Sequence, residues 1–234
     1  MRELHLFAGI GGGIQASLLL GHTPVGVVEI NPYCRQVLRE RQSDGTLPLF
    51  PIYEDIREFD GKPWHSKVDV VSGGFPCQPW SLAGETKGRD DERDLWPEMA
   101  RIVNEVRPSY VFAENVQLAA FEQPWGDLRR MGYRVPPALR VSAANVGAPH
   151  LRNRWWMLAT DPDSERLAQR EGERGDSRTE LATIVRGDWW ASEPRVRRVL
   201  NGVPDRVHRL RALGNAQVPQ CAATAWLMLR EMGA

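Results

Sequence analysis

Cysteine and lysine are both scarce in this chain of 234 residues. The three cysteines, Cys34, Cys77 and Cys221, are an odd number without CxxC spacing, which argues against a disulfide framework and a zinc site. Any special role for a cysteine is therefore expected to be that of a thiol. Only three of the 30 cationic residues are lysine and the other 27 are arginine, a bias that suits bidentate phosphate contacts but also follows from a GC-rich genome.

Long apolar runs and an excess of charge of either sign are also absent. No apolar run approaches about 18 residues, and the N-terminus lacks the basic region of a signal peptide, so we expect a cytoplasmic protein without membrane association. The formal net charge is zero, which excludes nucleic-acid binding by bulk positive charge. Phosphate contacts would have to come from local arginine clusters, such as those at 195–198 and 206–211.

Strand-like and helix-like segments alternate along most of the chain. A glycine-rich turn at 9–13 joins the first strand to the first helix, which is the start of a βαβ unit with parallel strands. The alternation predicts an α/β fold with a three-layer sandwich. We predict strands at 4–7, 25–29, 49–53, 68–72, 110–113, 134–142 and 155–158, and helices at 14–20, 32–41, 95–106, 123–131 and 218–229.

Composition changes after Thr160. The segment from Asp161 to Glu180 has almost no large apolar residue, so it cannot build a core and is expected to lie on the surface. We therefore divide the chain into residues 1–159, residues 160–200 and a C-terminal segment, 201–234, that ends in an apolar helix.

Several chemically capable side chains follow predicted strands. Cys77 comes on a proline-braced loop after the strand at 68–72, where it is either a nucleophile or a small buried residue. Glu114 follows the next strand and is either a general acid–base group or a surface acid beside a capping asparagine. Arg152 and Arg154 alternate at a strand entry, so they face one side and either grip a phosphate or base carbonyl or are solvated.

The glycine turn lets the backbone approach a ligand closely, as in nucleotide-binding βαβ units, but it lacks the full GxGxxG form. Glu29 ends the second strand, where a carboxylate either accepts from both ribose hydroxyls or is simply solvated. Asp55, just beyond the third strand, either accepts from an adenine amine or is a turn residue.

Taken together and in order, these segments resemble the cytosine-C5 DNA methyltransferases. The resemblance covers roughly residues 2–159 and 194–229, and its departures include His5 and His150, which replace residues commonly found at those positions. The matching positions are the first motif at 6–12, Glu29 and Asp55 as the second and third, the catalytic motif at 74–78, the ENV motif at 114–116, the paired arginines at 152–154 and the closing GN motif at 213–219.

The resemblance implies a Rossmann-like, S-adenosylmethionine-dependent methyltransferase fold with a mostly parallel sheet and a small irregular target-recognition segment. It implies that Cys77 adds to carbon 6 of a cytosine flipped out of double-stranded DNA, that Glu114 supports the ring at N3, and that Arg154, or secondarily Arg152, contacts O2. A mobile loop at 80–94 would close over the base. The implied cofactor contacts are Phe7, Ala8, Gly9, Ile10, Gly11, Glu29, Ile30, Asp55, Pro76 and Asn215.

The family usually carries a sizeable recognition domain between the paired arginines and the closing motif, whereas only about 40 residues lie there in this chain. Sequence readout is therefore expected to be compact or weak. The simplest assembly is a monomer, with a restriction-system or phage context. The alternatives are an RNA cytosine-C5 methyltransferase, and a DNA-binding relative that needs a partner chain for recognition. A dehydrogenase would leave the Pro-Cys-Gln loop unexplained.

Overall fold

The computed structural model describes residues 1–76, 94–164, 184 and 206–233 of the chain. Cys77, most of the loop at 80–94 and nearly all of the segment at 160–200 lie outside the described residues, so the predictions made for them stay predictions. The strands are β1 (Arg2–Leu6), β2 (Thr23–Val28), β3 (Ile52–Tyr53), β4 (Val70–Gly73), β5 (Tyr110–Asn115), β6 (Leu139–Ser142) and β7 (Asn153–Thr160).

These strands form one seven-stranded sheet in the order β3-β2-β1-β4-β5-β7-β6. β1 pairs in parallel with both β2 and β4, and β4 pairs in parallel with β5. β7 runs antiparallel to both of its neighbours, β5 and β6. The chain direction therefore brings the ends of β1, β2, β4 and β5 to the same edge, together with the start of β7.

Helices cover both faces of the sheet, as the predicted three-layer sandwich requires. They are α1 (Gly12–Leu19), α2 (Pro32–Ser43), α3 (Trp96–Val106), α4 (Glu122–Arg130), α5 (Arg206–Asn215) and α6 (Pro219–Glu231), and short 3₁₀ turns occupy Lys62–Trp64, Leu118–Phe121 and Ala143–Val146. Within the described ranges, no helix combines the length and apolarity that a bilayer crossing needs.

Alternation along the central strands sorts the core into two layers. On β5, Val111 and Ala113 pack with the cluster that holds α3 and α4, whereas Tyr110 and Phe112 pack with the cluster that holds α6. Successive side chains point to opposite faces of a strand, so a fully apolar strand must be covered on both sides. Trp226 of α6 is 1% exposed and packs edge-on against both Tyr110 and Phe112, which secures the C-terminal helix to the sheet.

The α/β fold and most elements are confirmed, with three differences. The strand predicted at 49–53 is reduced to two residues and that at 134–142 begins only at Leu139, because prolines at 51, 136 and 137 cannot donate to a strand ladder. Arg134 keeps one isolated bridge, to Thr160. The third difference is α5, which was not predicted. Among its described side chains only Ala212 is buried, and its many basic residues obscure any apolar periodicity.

Candidate active site

A cavity of about 650 Å³ opens at the sheet edge where the parallel strands end. Its volume lies within the range of small-molecule sites, about 300–1,000 Å³. The ends of β1, β2, β4 and β5 supply most of the wall, and α5 closes another side. The lining includes these residues predicted from sequence: Phe7, Gly9, Glu29, Ile30, Asp55, Pro76, Glu114, Arg154 and Asn215.

Glu114 is a carboxyl in this wall that is only 8% exposed. Nε of Arg154 lies 2.8 Å from its Oε1, and Nε2 of Gln217 donates to its Oε2 at 3.4 Å. The Arg154 contact is an ion pair without hydrogen-bond alignment, because Oε1 has no hydrogen-bond partner among the residues that the structure describes. This buried oxygen therefore retains its capacity to bind a donor from a ligand.

The environment of Glu114 favours its neutral form. Burial raises the pKa of this carboxyl, and the opposing effects of Arg154, the Gln217 hydrogen bond and Arg152 are smaller in total. A carboxyl with a raised pKa can donate a proton or a hydrogen bond closer to neutral pH.

Arg152 makes different contacts from Arg154, although both act on Glu114. Its Nη2 donates to the carbonyl oxygens of Gly214, at 2.6 Å, and Ala216, at 2.7 Å. Arg152 thus ties the start of β7 to the turn between α5 and α6. Arg154 also donates to main chain, from Nη1 to the carbonyl oxygen of Asn153 at 2.8 Å, but its Nε faces the Glu114 carboxyl.

Glu29, also 8% exposed, has hydrogen bonds to both of its oxygens. The amide of Gly9 donates to Oε2 at 2.6 Å, and the amide of Asn31 donates to Oε1 at 2.8 Å. Burial raises its pKa, and these two amides and the charge of Arg35 oppose that effect. Glu29 therefore joins the glycine turn to the start of α2, and each oxygen keeps further acceptor capacity on the cavity side.

The glycine turn is shaped by backbone conformations that few side chains adopt. Phe7, Gly9 and Gly11 all have positive φ, at 54°, 54° and 92°. Gly11 has no alternative, because a Cβ there would also lie 2.9 Å from the Leu38 side chain. Phe7 and Gly9 line the cavity, whereas Gly11, a predicted cofactor contact, does not.

The remaining predicted residues fall into two groups. Ile30 lines the cavity with its side chain 55% exposed, and Asp55 lines it while accepting from the Arg57 amide at 2.9 Å. Ala8 packs beside Ile14 and Leu38, and Ile10 is buried with Cys34 and Ala212, so neither lines this cavity. Asp55 therefore also makes the turn contact that was the alternative interpretation.

A buried polar network beneath the site was not predicted. Glu3 accepts from Ser17 Oγ at 2.6 Å and lies 2.7 Å from Nδ1 of His22, and His5 lies between Ser17 and Ser72 at 3.3 and 2.9 Å. Ser72 precedes the catalytic-type motif by two residues, so His5 supports the strand that delivers that loop. The signal in the sequence was the presence of several polar residues in predicted core strands.

Cys34 and Cys221 are both buried, and burial raises the pKa of each thiol to about 11. The charge of Glu29 adds to this effect at Cys34, and nearby arginines oppose it at both. Both side chains pack among apolar neighbours, so these two cysteines act as core residues.

Comparison with known proteins finds relatives among the Type II methyltransferases. The chain is 38% identical to the Type II methyltransferase M.NgoMIV of Neisseria gonorrhoeae over 49% of this chain and 35% of that protein. It is 32% identical to the Type II methyltransferase M.CviJI of Paramecium bursaria Chlorella virus IL3A over 70% of this chain and 44% of that protein. The chain thus spans less than half the length of these curated relatives.

The fold is also that of solved methyltransferases. The crystal structure of the S. pombe Dnmt2 methyltransferase superposes with a TM-score of 0.57 at 22% identity, over 79% of this chain and 60% of that one. The sequence profile of the C-5 cytosine-specific DNA methylases matches residues 1–200. Since that match covers most of the chain, the protein belongs to the C-5 cytosine-specific DNA methylase family.

Proposed function

We propose that this protein transfers a methyl group from S-adenosylmethionine to carbon 5 of a cytosine in double-stranded DNA. The observation that carries the proposal is Glu114, a buried carboxyl with an arginine at 2.8 Å and one oxygen that accepts no hydrogen bond from the described part of the chain. It shares its cavity with Pro76, the residue immediately before Cys77. A pyrimidine ring held there would have a carboxyl and a guanidinium for its polar edge.

The reaction needs a nucleophile because carbon 5 of cytosine is unreactive until carbon 6 is attacked. The Cys77 thiolate forms a bond to carbon 6, and the displaced electron pair makes carbon 5 enamine-like. Glu114 donates to ring N3, which stabilises the charge that develops there, and Arg154 holds the base carbonyl O2. After transfer, a base takes the proton from carbon 5, the C–H electron pair re-forms the C5–C6 double bond, and the C6–S bond breaks to release the thiolate.

The residues around the cavity fit S-adenosylmethionine, which supplies the electrophilic methyl group when bound. The remaining acceptor capacity of the two Glu29 oxygens suits ribose hydroxyls, and the exposed side chain of Ile30 suits a flat apolar base. Phe7, Asp55, Pro76 and Asn215 line the same space. Main-chain groups of the glycine turn would approach the ligand without intervening side chains.

The proposed substrate is a base that has left its stack, since carbon 6 is inaccessible inside a duplex. Flipping costs a few kcal/mol, which contacts to the strand and the base must offset. Arg154 and Arg211 line the cavity and supply positive charge on its wall. We further propose that residues 160–200 contribute to target recognition, between a catalytic part at 1–159 and a returning segment at 201–234.

The direct test uses purified protein, methyl-tritiated S-adenosylmethionine, and matched double-stranded DNA and transfer RNA. We expect label on carbon 5 of cytosine in DNA, and complete loss in Cys77→Ala. Cys221→Ala, the same change at a buried core thiol, is the matched control and should retain activity once folding is verified. Transfer to RNA alone would replace the DNA assignment, and activity in Cys77→Ala would remove Cys77 from the mechanism.

A trapping experiment tests the covalent step separately. Duplex DNA with 5-fluorocytosine at the target position should form a cross-linked species only when the methyl donor is present, because fluorine cannot leave as the proton does. Mass mapping should place the link on Cys77. A link on another residue, or no link while ordinary DNA is methylated, would exclude this nucleophile.

Thiol alkylation tests the expected reactivity of Cys77. Because burial holds the pKa of Cys34 and Cys221 near 11, iodoacetamide at neutral pH should modify Cys77 first in the folded protein. Equal rates at all three cysteines would contradict an activated Cys77.

A further inference from the structure

Gln217 lies in the turn between α5 and α6 and is half-buried against the candidate site. We propose that it is a positioning residue for Glu114: it holds Oε2, so that Oε1 is directed to the base. The inference rests on the proposed function and adds a residue to which no step of the reaction was assigned. Its first support is the hydrogen bond from Nε2 to Oε2 of Glu114, at 3.4 Å.

The second support is the space that three glycines leave for Gln217. A Cβ at Gly12 would clash with the main-chain oxygen of Gln217, and one at Gly13 would lie 2.6 Å from its Oε1. A Cβ at Gly74 would lie 3.2 Å from its Nε2 and 2.7 Å from Oε2 of Glu114. Two separate motifs, the glycine turn and the catalytic-type loop, therefore lack side chains around the same residue.

Backbone conformation does not explain these glycines. None of Gly12, Gly13 and Gly74 has φ in the left-handed region, in contrast to Gly9 and Gly11. A residue with a side chain could adopt these backbone angles, so the constraint is steric. Gly12 and Gly13 thus pack against the turn between α5 and α6 that carries Gln217, whereas Gly9 lines the cavity.

The third support is the way in which the turn is anchored. Arg152 donates to the carbonyl oxygens of Gly214 and Ala216, and the latter residue immediately precedes Gln217. Arg152 and Arg154 therefore have different roles. Arg154 contacts Glu114 directly, and Arg152 fixes the main chain that carries Gln217.

The chemical consequence is a bias on the protonation of Glu114. A donor to the carboxylate favours its ionised form, so loss of the Gln217 bond should move the titration of Glu114 upward. The other charged groups that act on Glu114 are Arg154 and Arg152 of the β7 entry. On β1, Nδ1 of His5 lies 3.9 Å from the position that a Cβ would take at Gly13, the same position that lies 2.6 Å from Oε1 of Gln217.

The test compares Gln217→Met, which keeps the length and removes the donor, with the wild type. The pH limb of kcat that belongs to Glu114 should shift upward by about 0.4 to 1 unit, the effect of one ordinary hydrogen bond. The KM for S-adenosylmethionine should stay unchanged, while kcat falls. The matched control is Gln36→Met, because Gln36 donates to the carboxylate of Glu40 at 2.9 Å on the exposed face of α2.

A second variant and a second measurement keep the inference testable if one variant folds poorly or turnover is too slow to measure. Gln217→Asn keeps the amide but shortens its reach to Glu114, so it should shift the same limb of the pH profile as Gln217→Met. It replaces Gln217→Met if that variant folds less well. Carbon-13 titration of labelled glutamate carboxyls, with Glu114→Gln identifying the resonance, requires no turnover. An unshifted Glu114 in folded Gln217→Met would overturn the inference, whereas absence of methyl transfer by the wild type would overturn only the proposed function.

Discussion

Glu29 and Glu114 are two equally buried carboxyls at the same edge of one sheet, and their surroundings differ. Glu29 accepts main-chain amides at both oxygens, at 2.6 and 2.8 Å. Glu114 has an ion pair at Oε1 and a long hydrogen bond at Oε2, and within the described ranges its Oε1 accepts no hydrogen bond. Burial raises the pKa of both groups.

The difference separates a carboxyl that organises the fold from one that is available for chemistry. Main-chain donors cannot rearrange without moving the glycine turn, so Glu29 is held in one position. Buried polar atoms normally have partners, and an atom without one requires an explanation. For Glu114 the explanation we favour is that the partner is the substrate.

The largest effect is expected for Glu114→Gln. Loss of a general acid typically costs about 10²- to 10⁴-fold in rate, so kcat should fall by that amount while the cofactor still binds. Steady-state kinetics and calorimetric titration with S-adenosylhomocysteine measure the two quantities. The control is Glu122→Gln at the exposed start of α4. A kcat within threefold of wild type would remove the distinction between the two carboxyls.

A somewhat smaller loss is expected for Arg154→Met. Removal of a preorganised charged donor typically costs about 10²- to 10³-fold in rate, and the buried Glu114 would lose its nearest cation. The pKa of Glu114 should therefore rise, and the corresponding limb of the pH–rate profile should move upward. Arg39→Met, on the exposed side of α2, controls for loss of an arginine. An unmoved limb would show that the ion pair does not set the protonation of Glu114.

Glu29→Gln should affect binding more than chemistry. A glutamine offers only one acceptor oxygen, so one of the two amide bonds is lost, and bonds to charged groups contribute about 1.5–3 kcal/mol. We expect cofactor affinity to fall about tenfold or more, with kcat at saturation little changed. Calorimetric titration measures this, with Glu58→Gln as the exposed control. Equal loss in kcat and affinity would contradict a role in binding rather than in chemistry.

The smallest effect is on the pH dependence of stability. A carboxyl whose pKa is raised in the folded state destabilises the fold as pH rises from its usual value of 4.5 through the folded value. In Glu114→Gln, the melting temperature should therefore fall less over that range than in the wild type. Glu3 should behave oppositely: burial raises its pKa, but His5, His22 and Ser17 together lower it to about 2. Its contribution is present above pH 4.5 and is lost as pH falls toward 2.

Melting curves in a pH series of wild type, Glu114→Gln and Glu3→Gln compare the two signs directly. Parallel curves for all three proteins would show that neither carboxyl is perturbed as described.

Much of the fold could be predicted because its signals are local. Apolar strands followed by a glycine or proline turn, such as β1 and β4, are recognisable within a few residues. The edges of the sheet were less predictable, since β3 and β6 are short strands beside prolines. Helix α5 was missed because its described side chains are mostly exposed, and an exposed basic helix lacks the apolar periodicity that indicates a helix.

The order of motifs in the sequence was sufficient to determine the family, the parallel core and the expected set of site residues, since each is a property of local pattern. Only the tertiary structure distinguishes residues of equal type: Glu29 from Glu114, Arg152 from Arg154, and the glycines that turn the chain from those that make room for Gln217. These distinctions depend on which atoms meet across 20 to 103 positions of sequence. Burial and hydrogen bonding act through space, and a linear pattern does not contain those distances.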